Sequence, residues 1–182
     1  MLKMLCIITS ILIILNNLNS VKTDDVKVNT KLGPIIGLTQ IIDGKELYEF
    51  RGIRYAKPPI NELRFKKPIP INKPWTEPVN ATQWPNPCYQ ISTNSQFLNK
   101  NLSEDCLYLN VFAPKTNTIK PVVVFIHGGA LIIGTSADGY NMPDLISIRE
   151  DVIFVTINYR LNIFGFLYTG TSDGPGNVGL YD

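Results

Sequence analysis

Two uninterrupted apolar runs, at Val122–Ile126 and Val152–Ile157, constrain the fold of this chain most strongly. Both are rich in β-branched and aromatic residues without polar alternation, a pattern typical of central strands that are covered on both faces. Between them, residues 143–150 are predicted to form a helix, because Asn141 can cap its start and Pro143 fits its first turn. A strand, a helix and a second strand in this order predict a parallel β-α-β crossover within an α/β sheet.

The N-terminal third predicts an antiparallel region of short strands. Turn signals at Gly33-Pro34 and Asp43-Gly44 separate its apolar segments. A further strand is predicted at Leu107–Phe112, where the pattern changes toward the α/β region. The three N-terminal strands are predicted at Val26–Asn29, Ile35–Thr39 and Leu47–Arg51. With 182 residues, the chain has the size of one ordinary domain.

A proline-rich stretch, residues 57–88, joins these two regions. It carries most of the 13 prolines, which remove backbone donors and are excluded from helix interiors. Phe65, Trp75 and Trp84 lie in the same stretch, and a flexible linker would lack such aromatic residues. We therefore expect an extended segment that is held in place by its packing.

Charge and composition exclude several classes of function. The formal net charge of +2 provides no basic stripe, so no nucleic-acid partner is expected. One histidine and three cysteines are too few for a metal site built on these ligands, and neither a metal nor a cofactor is expected. Apolar residues make up 45% of the chain, which excludes disorder over most of its length.

The first 20 residues predict a secretory signal peptide. Lys3 gives a positive start, the apolar run Leu5–Leu15 follows, and a polar stretch ends at Ser20, where cleavage is expected. The apolar run is too short for a transmembrane helix, which needs about 20 residues. A buried N-terminal helix or strand is the alternative. With the signal removed, residues 21–182 form a mature chain that is expected to be secreted and to have no transmembrane segment.

Removal of the signal peptide leaves two cysteines, Cys88 and Cys106. An even number in an oxidising compartment favours a disulfide, which stabilises a fold by about 3 kcal/mol for a loop of this size. Two unpaired buried thiols are the alternative. Two N-glycosylation sequons, starting at Asn80 and Asn101, lie in or beside the same loop-like region and are expected to be surface sites.

Chemistry is expected at residues 127–130, His-Gly-Gly-Ala, directly after the first apolar run. Paired glycines at the carboxyl end of a buried strand let backbone N–H groups face a ligand. A row of such donors can stabilise a developing oxyanion, and it needs little side-chain bulk. A tight turn after a strand is the alternative for a bare glycine pair.

Five motifs occur in a fixed order along the chain. They are Phe50–Pro59 (FRGIRYAKPP), Glu104–Val111 (EDCLYLNV), His127–Ala130 (HGGA), Asn158–Leu161 (NYRL) and Gly176–Leu180 (GNVGL). Their type and order resemble the type-B carboxylesterase family, a branch of the α/β-hydrolases that includes carboxylesterases, cholinesterases and related adhesion proteins. The resemblance covers residues 26–182 and implies the N-terminal portion of this fold, with antiparallel strands leading into a mostly parallel sheet. Family members hydrolyse esters with a serine nucleophile, a histidine base and an acidic partner.

The resemblance also implies roles for individual residues. Gly129 and Ala130 match the backbone donors of the family's oxyanion hole, and Gly128 matches the residue that gives this loop its conformation. Two structural pairs are implied as well, a disulfide between Cys88 and Cys106 and an ion pair between Arg64 and Glu104. Two independent surface charges are the alternative for the second pair.

Two residues depart from the commonest family pattern, and one further feature differs from the cholinesterases. Leu131 replaces a frequent aromatic residue, which would open or reshape the acyl pocket. Asn162 replaces a usual glycine, and asparagine accepts a positive φ better than most residues, so the turn can survive. The segment Tyr89–Asp105 lacks the tryptophan that stacks on choline in cholinesterases, which favours a general carboxylesterase.

No catalytic triad is expected within these 182 residues. Gly170–Gly174 spells Gly-x-Ser-x-Gly, but no predicted strand leads into it, and Pro175 follows where a helix should begin. His127 is the only histidine and belongs to the glycine-containing loop. We therefore expect the N-terminal part of a longer protein, truncated before the nucleophile, and expect this part alone to be inactive and poorly soluble.

Three hypotheses of function follow, in order of preference. The first is a secreted serine carboxylesterase that acts on small-molecule esters and whose triad lies C-terminal to this part. The second is a non-catalytic adhesion or signalling ectodomain on the same fold, although the intact donor loop argues against it. The third is a short secreted protein that binds a partner through an exposed sheet edge.

Overall fold

The computed structural model describes residues 24–90, 101–138 and 141–182. These residues form one mixed sheet of seven strands with two short α-helices, α1 (Pro143–Glu150) and α2 (Asn162–Phe166). The strands are β1 (Asp24–Thr30), β2 (Gly33–Ile42), β3 (Lys45–Arg54), β4 (Val79–Asn80), β5 (Tyr108–Pro114), β6 (Val122–Ile126) and β7 (Ile153–Ile157). Six strands lie in the order β1-β2-β3-β5-β7-β6, and β4 pairs with β2. Single 3₁₀ turns occur at Asn61–Leu63 and Val178–Leu180.

The antiparallel N-terminal region that the turn signals predict is confirmed. Strands β1, β2 and β3 pair antiparallel in succession, with Val28 opposite Ile35 and Thr39 opposite Tyr48. Strand β3 then pairs antiparallel with β5, and β5 pairs antiparallel with β7. The three predicted N-terminal strands lie within β1, β2 and β3, and the strand predicted at Leu107–Phe112 corresponds to β5.

The predicted β-α-β crossover is also confirmed, because β6 and β7 are parallel neighbours and α1 lies between them in the chain. The predicted helix cap is wrong. Met142 immediately precedes the helix, in a left-handed conformation with a φ of 40°. Asn141 is one residue too far from the first turn, and its Nδ2 atom is buried without a hydrogen-bond partner in the described part of the chain. The Asp144 carboxylate instead accepts a hydrogen bond from the Leu145 N–H.

Strand β6 differs from the prediction of a strand that is covered on both faces. It is the outer strand of the sheet, and Val122, Val124 and Ile126 are 57%, 56% and 64% exposed. Its neighbour β7 is flanked by strands on both sides, and its Phe154 and Thr156 are buried. An apolar run indicates residues that avoid water in a folded protein, and within the described ranges nothing pairs with the outer edge of β6.

Apolar packing between the sheet and helix α1 forms the main core. Its fully buried members, at most 4% exposed, are Leu47, Phe112, Ile148 and Phe154, from β3, β5, α1 and β7. A second buried cluster surrounds the half-cystines and consists of Ala56, Cys88, Cys106 and Leu107. The second cluster lies between the proline-rich segment and the start of β5, close to the candidate site described below.

The proline-rich segment packs through its aromatic residues, as predicted. The Trp84 ring lies against Phe112, with ring centroids 6.0 Å apart. The Trp75 indole N–H donates a hydrogen bond of 2.9 Å to the Pro34 carbonyl. Phe65 stacks on an aromatic residue of helix α2, with ring centroids 6.2 Å apart. The segment also contributes β4, which adds to β2 as a parallel strand.

The predicted signal peptide, residues 1–20, lies outside the described residues. Helices α1 and α2 have 8 and 5 residues, so no helix in the described ranges has the length that a membrane crossing requires. Both sequon asparagines, Asn80 in β4 and Asn101 before β5, are exposed.

Candidate functional site

The loop that is predicted to carry chemistry begins where β6 ends. We call residues 127–134 the glycine loop. It leaves the carboxyl end of β6 and borders a cavity of about 360 Å³. The cavity wall is mainly apolar and includes Ile126, Leu131, Tyr159 and Leu180. A concave apolar site with a few polar groups is the usual form of a small-molecule site.

Two backbone N–H groups of the glycine loop are free to bind a ligand. Within the described part of the chain, no atom accepts a hydrogen bond from the N–H of Gly129 or of Ala130, and both residues line the cavity. The Gly129 carbonyl, by contrast, accepts bonds of 3.0 Å from the N–H groups of Ile132 and Ile133. The loop therefore closes on itself through one carbonyl, and the adjacent donors of Gly129 and Ala130 stay unpaired within the described part of the chain. Two neighbouring backbone N–H donors of this kind can stabilise a negatively charged oxygen.

The backbone of the glycine loop requires glycine at two positions. Gly129 has a φ of +122°, and a Cβ atom there would lie 1.9 Å from the Ile133 carbonyl oxygen. Gly134 has a φ of +125°, and a Cβ atom there would lie 2.2 Å from Nδ1 of His127. Gly128 has no positive φ, and no atom lies within 4 Å of a Cβ built on it. The positions of this loop at which a side chain is excluded are therefore Gly129 and Gly134, and Gly128 shows no such constraint.

Two residues with side chains hold left-handed conformations in the same loop. Ala130 and Leu131 have φ values of 54° and 63°, a region that is unfavourable for such residues by about 1–3 kcal/mol each. The Leu131 carbonyl is fixed by a 2.7 Å hydrogen bond from the Asn162 N–H. Asn162 itself has a φ of 45°, which agrees with the prediction that asparagine can replace glycine there, and its Nδ2 donates to the Tyr89 carbonyl at 2.7 Å.

His127 is part of the framework of the glycine loop. It is 5% exposed, and its ring stacks on Tyr159 with centroids 4.5 Å apart. Burial lowers the pKa of His127 below its ordinary value of 6.5, so the ring is neutral at pH 7. The neutral ring can donate from Nδ1 to the Gly128 carbonyl at 2.9 Å. The Tyr159 hydroxyl donates a bond of 2.9 Å to the His127 carbonyl.

Gln90 also belongs to the site, although no sequence pattern singles it out. Its side-chain amide pairs with both backbone groups of Gly134. Oε1 accepts a hydrogen bond from the Gly134 N–H at 2.9 Å, and Nε2 donates to the Gly134 carbonyl at 2.8 Å. Nε2 also donates to the Cys88 carbonyl at 3.1 Å. A glutamine in an irregular segment has no periodicity or motif, so only the three-dimensional structure identifies these contacts.

The predicted disulfide between Cys88 and Cys106 is present. Asn158, which follows β7, joins it to the residues after the glycine loop. Its Nδ2 donates to the carbonyls of Asn86 and Cys106, each at 3.1 Å. Its Oδ1 accepts a hydrogen bond of 2.7 Å from the Ser136 N–H. Asn158 is 1% exposed, so these bonds satisfy a buried polar side chain.

Two arginine–carboxylate pairs flank the site. Arg64 and Glu104 form a two-bond ion pair beside the disulfide, with 2.6 Å between Nη2 and Oε1. The Asp182 carboxylate accepts hydrogen bonds from Nε and Nη2 of Arg160 at 2.7 and 2.6 Å. The side chain of Arg160 is 3% exposed and that of Asp182 is 0% exposed. Burial, reinforced by the charge of Asp182, raises the pKa of Tyr55, which therefore stays protonated.

A second apolar depression adjoins the cavity. It has a volume of about 590 Å³ and shares Ala130 and Leu131 with the cavity. Its outer wall includes Ile132, Ile163 and Tyr168. Leu131, where the sequence departs from the aromatic residue of the family pattern, thus borders both spaces.

The Gly-x-Ser-x-Gly string does not form a nucleophile elbow. Ser172 lies in an exposed turn between Tyr168 and Pro175, which form an isolated bridge. Within the described residues 141–182, no strand leads into Ser172 and no α-helix follows it. Its neighbour Asp173 forms an ion pair of 2.6 Å with Lys66. Among the residues that the structure describes, no three His, Cys, Asp or Glu side chains are grouped to hold a metal ion.

The sheet and the glycine loop agree with one class of protein. A parallel β-α-β crossover with unpaired backbone donors at the carboxyl end of one of its strands occurs in α/β-hydrolases, as it does in other α/β folds. A family model described as "Carboxylesterase family" matches residues 24–182. The chain belongs to the carboxylesterase family, which confirms the resemblance seen in the sequence motifs.

Individual relatives agree with this assignment. A juvenile hormone esterase of Tribolium castaneum is 45% identical over 160 residues, which cover 85% of this chain and 26% of the relative. A cholinesterase of Mus musculus is 42% identical over 171 residues, with coverage of 87% and 28%. An acetylcholinesterase of Leptinotarsa decemlineata is 37% identical over 190 residues, with coverage of 88% and 30%. The chain spans less than a third of the length of each of these relatives.

Proposed function

We propose that the full-length protein is a secreted serine carboxylesterase that hydrolyses small-molecule carboxylic esters. In this proposal the Ser–His–acid triad lies C-terminal to residue 182, and the glycine loop supplies part of the oxyanion hole. One observation carries the proposal: the unpaired N–H groups of Gly129 and Ala130 border an apolar cavity. Membership of the carboxylesterase family supports it.

The glycine loop has the properties that an oxyanion hole needs. Serine attack on an ester carbonyl produces a tetrahedral intermediate with a negatively charged oxygen, to which Gly129 and Ala130 donate. The loop is closed by its own hydrogen bonds, so the donors need no rearrangement when the charge develops. Such bonds are stronger in the transition state than in the ground state, and one donor typically contributes about 10²–10³ in rate.

The cavity favours apolar esters over choline esters. Ile126, Leu131 and Leu180 form much of its wall. Asp182 is the one acidic side chain of the described lining, and Arg160 neutralises it. The relatives are named as cholinesterases and as a juvenile hormone esterase, so similarity alone does not separate these substrates. The absence of a tryptophan between the two cysteines supports the apolar alternative.

Secretion is part of the same proposal. Residues 1–20 act as a cleaved signal peptide, and Asn80 and Asn101 carry N-linked glycans. The Cys88–Cys106 disulfide supports this, because such bonds persist in oxidising compartments. The exposure of both asparagines is what glycosylation requires. Expression in a secreting eukaryotic host is expected to place the protein in the medium, with a mass that a glycosidase lowers.

Ala130→Asp in the full-length protein tests the oxyanion assignment. The new carboxylate lies beside the two donors and competes with the oxyanion. We therefore expect kcat for p-nitrophenyl butyrate to fall by about 10²-fold or more. Asn117→Asp is the matched control, because it adds a carboxylate on an exposed loop away from the cavity. Thermal unfolding of both variants checks that they are folded.

The outcomes separate the hypotheses. Loss of turnover in Ala130→Asp but not in Asn117→Asp supports the proposal, whereas wild-type turnover in a folded Ala130→Asp variant contradicts it. A folded, secreted wild-type protein that hydrolyses neither p-nitrophenyl butyrate nor longer p-nitrophenyl esters nor acetylthiocholine favours the non-catalytic ectodomain. We expect no turnover from residues 1–182 alone, because their only histidine is buried in the glycine loop.

A further inference from the structure

Gln90 binds the backbone of the glycine loop at the loop's last residue. Its amide takes both the N–H and the carbonyl of Gly134, at 2.9 and 2.8 Å. Within the described ranges these are the only hydrogen bonds of those two backbone groups. Gln90 is only 9% exposed, so water has little access to replace it. One buried side chain therefore fixes this end of the loop.

Gly134 in turn determines where the start of the loop lies. A Cβ atom on Gly134 would lie 2.2 Å from Nδ1 of His127 and 2.6 Å from the Gly128 carbonyl oxygen, so the two ends of the loop are in close contact. The unpaired donors, Gly129 and Ala130, lie between these ends. A shift of Gly134 therefore moves the frame that carries both donors, since interiors this close-packed transmit small displacements.

Gln90 is itself bonded to the disulfide region. Its Nε2 atom also donates to the carbonyl of Cys88, which is cross-linked to Cys106. The Cys106 carbonyl accepts a hydrogen bond from Asn158, which bonds to the backbone just beyond the glycine loop. The disulfide region thus contacts the loop region through Gln90 and through Asn158.

We propose that Gln90 is a positioning residue for ester hydrolysis: it holds Gly134 so that the N–H groups of Gly129 and Ala130 point at the oxyanion. This inference rests on the proposed esterase function. A displacement of about 1 Å in a catalytic group can reduce the rate by about 10²-fold. Removal of the amide is therefore expected to lower kcat by about 10–100-fold, with KM changed by less than about threefold, because the donors act mainly in the transition state.

Gln90→Met in the full-length protein is the direct test. Methionine is similar in size but cannot replace either hydrogen bond. Gln83→Met is the matched control, because Gln83 is an exposed glutamine seven residues earlier in the chain. The measurements are kcat and KM with p-nitrophenyl butyrate, the inhibition constant of a trifluoromethyl ketone, and thermal unfolding. The ketone forms a tetrahedral adduct with an oxyanion, so its inhibition constant is expected to rise by the same factor as kcat falls.

Gln90→Asn provides a second variant. It keeps the amide but shortens the side chain by one methylene, so we expect a loss of kcat between those of the wild-type protein and Gln90→Met. If Gln90→Met does not fold, Gln90→Asn decides the question alone. A merely structural role would lower the unfolding temperature without changing kcat or the inhibition constant of the folded enzyme.

Two failures can be told apart. An active wild-type enzyme whose folded Gln90 variants keep kcat and the ketone inhibition constant within twofold overturns the role of Gln90 and leaves the esterase function intact. A wild-type protein that hydrolyses no ester overturns the proposed function, and the role of Gln90 falls with it. A loss of kcat in Gln83→Met equal to that in Gln90→Met also overturns the inference, because the effect is then not specific to the amide at Gly134.

Discussion

Replacement of Gly129 by alanine tests the geometry of the glycine loop most directly. The added Cβ would lie 1.9 Å from the carbonyl oxygen and 2.7 Å from the carbonyl carbon of Ile133, and backbone atoms cannot rotate away as a side chain can. A φ of +122° is also disfavoured for alanine, by about 1–3 kcal/mol. Relief of the overlap breaks the hydrogen bond from the Ile133 N–H to the Gly129 carbonyl, a loss of about 0.5–1.5 kcal/mol. We therefore expect Gly129→Ala to lower the free energy of unfolding by about 2–4 kcal/mol.

Two glycines in the same chain provide matched controls. Gly44 has a φ of +74° but no atom within 4 Å of an added Cβ, so Gly44→Ala reports the backbone strain alone, about 1–2 kcal/mol. Gly128 has neither constraint, and Gly128→Ala is expected to change the free energy of unfolding by less than about 0.5 kcal/mol. The expected order of destabilisation is therefore Gly129→Ala, then Gly44→Ala, then Gly128→Ala.

Urea denaturation and ester turnover of the full-length variants measure the two effects. Because Gly129 carries one of the unpaired donors, we expect kcat of folded Gly129→Ala to fall by about 10²–10³, whereas Gly44→Ala keeps wild-type kcat. The reasoning is refuted if Gly129→Ala is no less stable than Gly44→Ala and keeps wild-type kcat. In that case the loop adapts to a Cβ, and its backbone does not fix the donors.

Two further predictions concern buried titratable groups. Arg160→Met leaves the fully buried Asp182 carboxylate without its partner, so urea denaturation should show a loss of about 3–5 kcal/mol, and a loss below about 1 kcal/mol would contradict this. Burial lowers the pKa of His127 in the folded state, so the unfolded state binds a proton at this histidine more readily. The contribution of neutral His127 to the free energy of unfolding is therefore complete above about pH 6.5 and declines as the pH falls below that value. His127→Phe, which can still stack on Tyr159, should therefore show a shallower decline of unfolding temperature below pH 6.5, and parallel curves for variant and wild-type protein would count against it.

Much of the fold can be predicted from local patterns in the sequence. Turn residues and apolar runs locate the strands, and the order strand, helix, strand determines the parallel crossover of β6 and β7. The cap at Asn141 is wrong because helix starts depend on the dihedral angles of one residue, here Met142 with a φ of 40°. The prediction that β6 is buried on both faces is also wrong. An apolar run identifies residues that are expected to be buried, but it does not specify which residues bury them.

The candidate site, too, can be predicted from the sequence only in part. The motif at residues 127–130 locates the donor loop, because glycines directly after an apolar strand form a local pattern. The motif does not tell which glycine is constrained, since the close contacts of Gly129 and Gly134 exist only in three dimensions. The contacts of Gln90 and Asn158 cannot be read from the sequence for a similar reason, although Asn158 opens the motif at Asn158–Leu161. Their amides bond to backbone groups 44 and 22 residues away, and such contacts leave no periodic signal.

The two outer strands of the sheet, β1 and β6, differ in how readily they can pair with a further strand. The outer strand β1 presents exposed charged residues at Asp25 and Lys27, and such residues discourage further strand pairing. The other outer strand, β6, is entirely apolar, so an additional strand is expected to pair more readily on that side. Ile126, the last residue of β6, also borders the cavity. A strand that pairs with the outer edge of β6 would therefore lie beside Ile126, at the border of the cavity.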